Sequence, residues 1–164
     1  MPTSAHCSTI NSAAISNPDL IIEGANNFGS QCIVVAIDAK ATKNSRIKSG
    51  YEVFSHGGRV STGLDALEWA KRAVKLGAGE LLITSMDRDG TKKGFDLPLT
   101  KKISSNVTVP IIASGGVGEL KDFIEGFKLG GASGLLAASV FHFGKYKINE
   151  VKEKLKREGL PARI

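Results

Sequence analysis

The sequence is short of cysteine, short of aromatic residues and without a long apolar run, and each shortage removes a class of protein. Its 164 residues include two cysteines, Cys7 and Cys32. They show neither metal-site spacing nor the pattern of a disulfide framework, so a reducing cytoplasm is the expected setting. No metal site and no other cofactor is expected. No apolar run is long enough to span a bilayer, and the opening MPTSAHCSTI has neither the basic nor the apolar region of a secretion signal. Aromatic residues are only 6% of the chain, and the lysines behind the formal charge of +6 are spread over nearly every helical segment. That spread argues against a nucleic-acid surface and for a basic exterior that favours a small anionic substrate. Neither nucleic acid nor a membrane is an expected partner. The length suits a single domain, 1–164, with enough chain to bury a core.

Four short apolar runs are present. CIVVAID (32–38) and PIIAS (110–114) are continuous and partly β-branched; ELLITS (80–85) and SGLLAAS (133–139) have a similar shape. Such runs suit strands buried on both faces, as in parallel sheets. Helix-period stripes lie between and around them: Leu64, Leu67, Ala70 and Val74 with Trp69 beside them; Leu120, Phe123, Ile124 and Phe127; and Ile148, Val151 and Leu155. The last stripe has Glu150–Lys154 and Glu153–Arg157 pairs on its wet side. In NPDLIIEGANNFG, Asn17 reads as an N-cap, Pro18 as the first helical residue and Gly29 as the residue past the end. DLPLTKKIS reads as a weaker helix around Leu99 and Ile103. KLGAGELLITS (75–85) and KLGGASGLLAAS (128–139) resemble each other, each passing from a helix end through a glycine turn into a strand. A repeat of that kind predicts an α/β fold: about four βα units with a parallel sheet, half of a TIM (βα)8 barrel. SGYEVFSHGGRVSTG (49–63) interrupts the rhythm as a hairpin-like insertion.

In such barrels chemistry collects at the C-terminal strand ends. The first strand, around Ser8–Ile10, ends in Asn11 and Ser12. The second ends in Asp38, followed by Lys40. The third ends in Thr84 and Ser85, then Asp87, Asp89, Gly90 and Thr91. The fourth ends in Ser114, Gly115 and Gly116, and the last in Ala138 and Ser139. Small residues between strand and helix expose backbone N–H groups, so Ser114–Gly116 and Ala138–Ser139 read as neighbouring seats for one phosphate. Glycines that only make tight turns are the alternative. Asp38 ends an apolar strand, which is costly without partners or a task; the alternative is a structural aspartate paired with, for instance, Lys40. Asp87 and Asp89 face the same alternative, Asp87 by pairing with Arg88 or turning the backbone. His56 and His142 read as surface or packing residues, and Cys32 as core.

VVAIDAK, GELLITSMDRDGTKKGFD, PIIASGGVG and LLAASVFHF resemble the cyclase subunit of imidazole glycerol phosphate synthase, of histidine biosynthesis, from about residue 10 to the C-terminus. AIDAK and AASVFHF resemble the cyclase rather than its sister isomerase, the phosphoribosyl isomerase of the same pathway. The resemblance implies a lyase that closes an imidazole ring with ammonia from a glutaminase subunit. Its bisphosphate ribulosyl precursor yields imidazole glycerol phosphate and an aminoimidazole carboxamide ribotide. It implies that Asp38 is one of two catalytic aspartates, a general acid/base, with Asp89 a supporting acid. It also implies that Ser114, Gly115, Gly116, Ala138 and Ser139 hold one phosphate, and that Asn11 and Ser12 belong to the other phosphate site. Lys40, Thr84 and Gly90 complete the substrate-lining set, and Glu80 matches an acidic residue of the ammonia gate.

The departures set further expectations. The family's first catalytic aspartate and the glycine-rich loop of its second phosphate site belong to a segment not present here. Cys7 stands where a lysine of the ammonia entrance is expected, so MPTSAHC reads as an abrupt start, from truncation or a shifted reading frame. Half a barrel leaves parallel edges and an inner apolar face, here assigned to Val35, Ile83 and Ile112 or their neighbours. Such a chain is expected to self-associate or to need an N-terminal half. An inactive phosphate-binding half-barrel is the competing reading.

Overall fold

The computed structural model describes residues 8–160 and 162; Cys7 lies outside them. Seven strands and seven α-helices follow one another among those residues. They are β1 (Ser8–Ile10), α1 (Ser12–Ser16), α2 (Asp19–Phe28), β2 (Ile33–Ala41), β3 (Tyr51–Ser55), β4 (Val60–Asp65), α3 (Ala66–Leu76) and β5 (Glu80–Ser85). Then come α4 (Leu97–Ser104), β6 (Ile111–Ser114), α5 (Leu120–Lys128), β7 (Gly134–Leu136), α6 (Ser139–His142) and α7 (Ile148–Arg157). The four apolar runs supply β2, β5, β6 and β7. Short β1 adds a fifth parallel strand, in the order β1-β2-β5-β6-β7. The chain therefore has an α/β fold with a mostly parallel sheet, part of a TIM-type barrel. The sheet is not closed: among the described residues β1 pairs only with β2, and β7 only with β6.

Helices cover one face of this sheet. Contacts run α2–α3, α3–α4, α4–α5 and α5–α7, so the helices lie side by side in chain order, as right-handed crossovers require. Strand alternation sends Val35, Ile37, Leu81, Ile83 and Ile111 into this layer, against Ile21, Trp69, Ala70, Leu99 and Ile103. A second cluster joins Ala113 to Phe95, Phe123, Val140, Val151 and Leu155. The other face carries Val34, Ala36 and Asp38 of β2, Leu82 and Thr84 of β5, Ile112 and Ser114 of β6, and Leu136 of β7.

This phase corrects the inner-face assignment. Ile112 does lie on the inner face, but Val35 and Ile83 are fully buried under the helices, and Val34 and Leu82 take their places inside. Consecutive apolar positions, as in Ile33–Ile37 and Leu81–Ile83, do not by themselves show which alternate set faces the helices, and the packed helices decide it. Three smaller expectations change as well. Leu64 belongs to β4, and the buried face of α3 is Ala66, Trp69, Ala70 and Ala73. Lys154 pairs with Glu158 at 2.9 Å instead of with Glu150, whose carboxylate accepts from the Lys147 amide. Glu153–Arg157 does form, at 3.5 Å on exposed side chains, where such pairs add little. Asn17 accepts from the Asp19 amide at 3.3 Å, a capping bond, although regular helix begins at Asp19.

Strands β3 and β4 form an antiparallel hairpin whose β3 pairs with the end of β2, Asp38 opposite Phe54 and Ala41 opposite Tyr51. Two aspartates anchor it. Asp96 caps α4 through the Leu99 amide and also accepts from the Ser85 hydroxyl and the Tyr51 phenol. Burial, and then the adjacent Asp96 carboxylate, push the Tyr51 phenol up to about 12, so it remains a donor. Asp65 caps α3 through the Leu67 and Glu68 amides and holds the Ser49 amide at 2.7 Å. Burial pushes the Asp65 carboxyl upward, but its bonds from Ser49, Glu68 and Leu67 outweigh that and hold it below its usual value.

Asp65→Ala should therefore cost about 1–2 kcal/mol of unfolding free energy in a urea titration, the usual worth of a cap. The folded value is depressed, so the carboxylate's contribution is complete above the unfolded pKa of about 3.9. It is lost as pH falls through the lower folded value. A gap between wild type and variant that stayed constant down to the acid limit would overturn this assignment.

Candidate functional site

Parallel pairing aligns the strand ends. Asp38 lies opposite Thr84, Thr84 opposite Ser114, and Ser114 opposite Leu136. Paired positions on neighbouring strands share a face, so one row at the C-terminal end of the inner face bears a carboxylate, two hydroxyls and an apolar side chain. Asp38 is half-buried and accepts a hydrogen bond of 3.0 Å from Asn11 Nδ2. It is not paired with Lys40. That lysine is exposed, with its ammonium 5.9 Å from the centre of the Phe54 ring.

The long loop after β5 divides its charges between two tasks. Asp87 accepts from the Ala41 amide at 2.7 Å, extending the contact of this loop with the end of β2; it is not paired with Arg88. Arg88 turns back to the Lys93 carbonyl. Asp89 and Gly90, by contrast, line a cavity of about 110 Å³ together with Ser114, Gly115, Gly116, Ala138 and Ser139. The two strand ends expected to be neighbours are therefore neighbours in space. Lys92 also lines this cavity, and sequence reading passed over it. The signal was available, a cation two residues beyond Gly90, but only the fold of the loop brings this exposed residue to the cavity wall. Lys92 sits at φ +58, with its ammonium 6.0 Å from the centre of the Phe143 ring.

Tight turns and cavity walls are here the same residues. Gly115 and Gly116 have φ of +93 and +102, where a side chain is strained. A Cβ on Gly116 would lie 2.3 Å from the Gly94 carbonyl oxygen, and the Gly94 amide donates to the Gly116 carbonyl at 2.7 Å. The two loops therefore touch backbone to backbone, which glycine alone allows. The amides of Gly118 and Glu119 donate to Asp122, each at 2.8 Å, so the start of α5 is closed by its own buried carboxylate. An anion in the cavity would meet the Gly115–Val117 segment and the start of α6 instead.

Asn11 and Ser12 stand apart from this cavity. Asn11 reaches Asp38, and the Ser12 hydroxyl accepts from the His56 amide at 2.8 Å. The hairpin tip is thereby tied to the end of β1, and His56, at φ +54, serves here through its backbone. Its ring nitrogen Nδ1 lies 3.0 Å from the Ser55 hydroxyl. Cys32 is buried. Glu80 occupies the opposite, N-terminal end of β5, across from Val34. No helix among the described residues is long and apolar enough to cross a membrane.

An open array of parallel βα units, with polar groups gathered at the C-terminal strand ends, defines a barrel-type enzyme architecture. The particular family follows from comparison. The chain matches the family model "Histidine biosynthesis protein" over residues 2–147 and belongs to that family. The family is enzymatic and takes in both the cyclase and the sister isomerase.

Gly116→Ala tests how tightly the two loops meet. The strained φ and the contact with Gly94 should together destabilise the chain by roughly 1–3 kcal/mol. Urea unfolding reads this directly, and a stability equal to wild type would show that the β5 loop can withdraw from Gly116.

Proposed function

We propose that this chain carries the cyclase-type site of imidazole glycerol phosphate synthase. Its substrate is the bisphosphate ribulosyl precursor, which with ammonia gives imidazole glycerol phosphate and aminoimidazole carboxamide ribotide. The observation that carries this reading is Asp38, a carboxylate that follows the apolar run Ile33–Ile37 of β2 and has no cationic partner among the described residues. It shares a row with Thr84 and Ser114 and sits beside the cavity-bearing strand ends. A carboxylate so placed can take a proton from a substrate atom and return it, the work that ring closure demands. Asp89 and Lys92 would set the charge around one phosphate, and the Ser114–Gly116 and Ala138–Ser139 backbones would hold its oxygens. Lys40, Thr84 and Gly90 would line the path between phosphate and carboxylate. Asn11 and Ser12, which the family resemblance assigns to a second phosphate, would serve that end of the substrate beside the hairpin tip. The sequences AIDAK and AASVFHF, at the ends of β2 and β7, support the cyclase over the isomerase.

The partners follow from the two ends of the array. Glu80, at the N-terminal end of β5, would face a glutaminase subunit that delivers ammonia from the side opposite Asp38. The open sheet has a second consequence. β7 presents an unpaired edge, and Leu136, beside the cavity, is 43% exposed. Unpaired parallel edges invite another chain, so the array would complete itself against a second copy or against the first half of a cyclase barrel.

Sedimentation velocity at micromolar concentration should show a dimer or larger species, and a compact monomer would overturn the edge argument. With a chain supplying the first barrel half, and ammonium as nitrogen source, conversion of the precursor should be measurable. Asp38→Asn should then lower turnover by roughly a hundred-fold or more while leaving phosphate binding intact. Isomerisation of the sister enzyme's substrate, or unchanged turnover in the variant, would refute the cyclase reading.

A further inference from the structure

A second cleft, of about 580 Å³, opens between the base of the hairpin and the helix layer. Its walls are the loop 42–50 that joins β2 to β3, the start of α3, and Lys102 of α4. Three cations meet there, Arg46, Lys48 and Lys102. Two carboxylates share the walls, but both are engaged elsewhere. Asp65 accepts from the amides of Ser49, Leu67 and Glu68, and Glu68 pairs with Lys71 at 3.1 Å along its own helix. Lys102 donates one N–H to the Ser49 carbonyl at 2.6 Å, which leaves two donors for another acceptor. Among the described residues the side chains of Arg46 and Lys48 have neither a hydrogen bond nor an ion pair. The loop that carries them is anchored. Ile47, between the two cations, is buried. The Ile47 amide donates to the Asn44 carbonyl, the Gly50 amide to the Ile47 carbonyl, and the Thr42 amide to the Gly50 carbonyl. Like charges held around one cleft are unfavourable until a counter-charge enters it.

We infer that this cleft binds a small molecule bearing a diphosphate group. The charges set the class. Asp65 has already taken the Leu67 and Glu68 amides at the start of α3, so recognition falls to side chains reaching from two walls. A single phosphoryl group would leave part of that set unmet, whereas two linked ones can span it. The Arg46 guanidinium can hold two phosphate oxygens in parallel, and the Lys48 and Lys102 ammonium groups act as point charges beside them. Leu67 adds an apolar contact for the group that carries the diphosphate. The cleft is also far roomier than the strand-end cavity of about 110 Å³. The inference does not rest on the cyclase reading, because none of these residues lines the strand-end cavity or belongs to the Asp38 row.

Amide NMR of the full chain tests this, with inorganic pyrophosphate as the probe and inorganic phosphate and chloride as comparisons at equal ionic strength. Pyrophosphate should shift the amides of Ile47, Lys48, Ser49 and Leu67 saturably, with a dissociation constant about ten-fold below that for phosphate. Arg46→Gln combined with Lys48→Gln should raise the pyrophosphate constant read at these amides about ten-fold or more. Both side chains are exposed and unbonded, so the urea midpoint of the double variant should match wild type. The Gly115 and Gly116 amides report the strand-end cavity in the same spectra, and their response should survive the double variant. Equal responses to chloride, phosphate and pyrophosphate would mean ionic screening only and overturn the inference. An unchanged pyrophosphate constant in the double variant would overturn it as well. A saturable response in the cleft with none at Gly115 and Gly116 would support this site and count against the phosphate seat of the cyclase reading.

Discussion

Strand β2 runs on past its neighbour β1, and one of its edges is shared between two partners. β1 pairs with Ile33–Val35, whereas β3 of the hairpin pairs with Asp38–Ala41. The changeover leaves a gap in the ladder between Val35 and Asp38, and the end of β1 opens into it. Asn11 emerges at that point and reaches Asp38, while Ser12 meets the hairpin tip. A longer β1 would carry Asn11 away from the carboxylate, and a hairpin starting earlier would cover the place where the amide now lies. The immediate surroundings of Asp38 thus follow from how the backbone hydrogen bonds of one strand are divided.

From β2 the parallel ladders carry register outward without interruption. Because the Asp38–Thr84–Ser114–Leu136 row is set by backbone pairing, none of its members can change face without a slip in register. Beyond the row, the loops are held by backbone contact between Gly94 and Gly116 and by Asp87 on the Ala41 amide. The cavity is consequently built from main chain and small side chains, while charge enters through Asp89 and Lys92. This is a suitable environment for a group recognised by shape and negative charge. Asp38 itself lies outside that cavity's lining.

The hairpin is attached by polar bonds at its base, through Asp65 and Asp96, and at its tip through Ser12. The helix layer is held by apolar burial. The two parts therefore answer differently to conditions. Acid acts on the Asp65 bonds as pH falls through its lowered folded value, whereas urea and temperature act on the apolar clusters.

Much of the architecture could be read along the chain. β2, β5, β6 and β7 are written as apolar runs, α5 and α7 as 3.6-residue stripes, and the insertion as a turn-rich interruption, because those signals are local. The neighbourhood of Ser114–Gly116 and Ala138–Ser139 was also legible, since consecutive βα units in a parallel array must set their strand ends side by side. Three matters were settled only in three dimensions. The inward phase of β2 and β5 was hidden because Ile33–Ile37 and Leu81–Ile83 are apolar at consecutive positions. The partner of Asp38 was hidden because Asn11 lies 27 residues away, joined to it by a strand crossover that no local pattern encodes. The place of Lys92 at the cavity wall depends on a loop that meets Gly116 of the next unit through the Gly94 amide. Residue types and local periodicity determined which elements form; the pairing of β2 with three strands determined which side chains meet, because hydrogen-bond register is a property of two strands in contact and not of either alone.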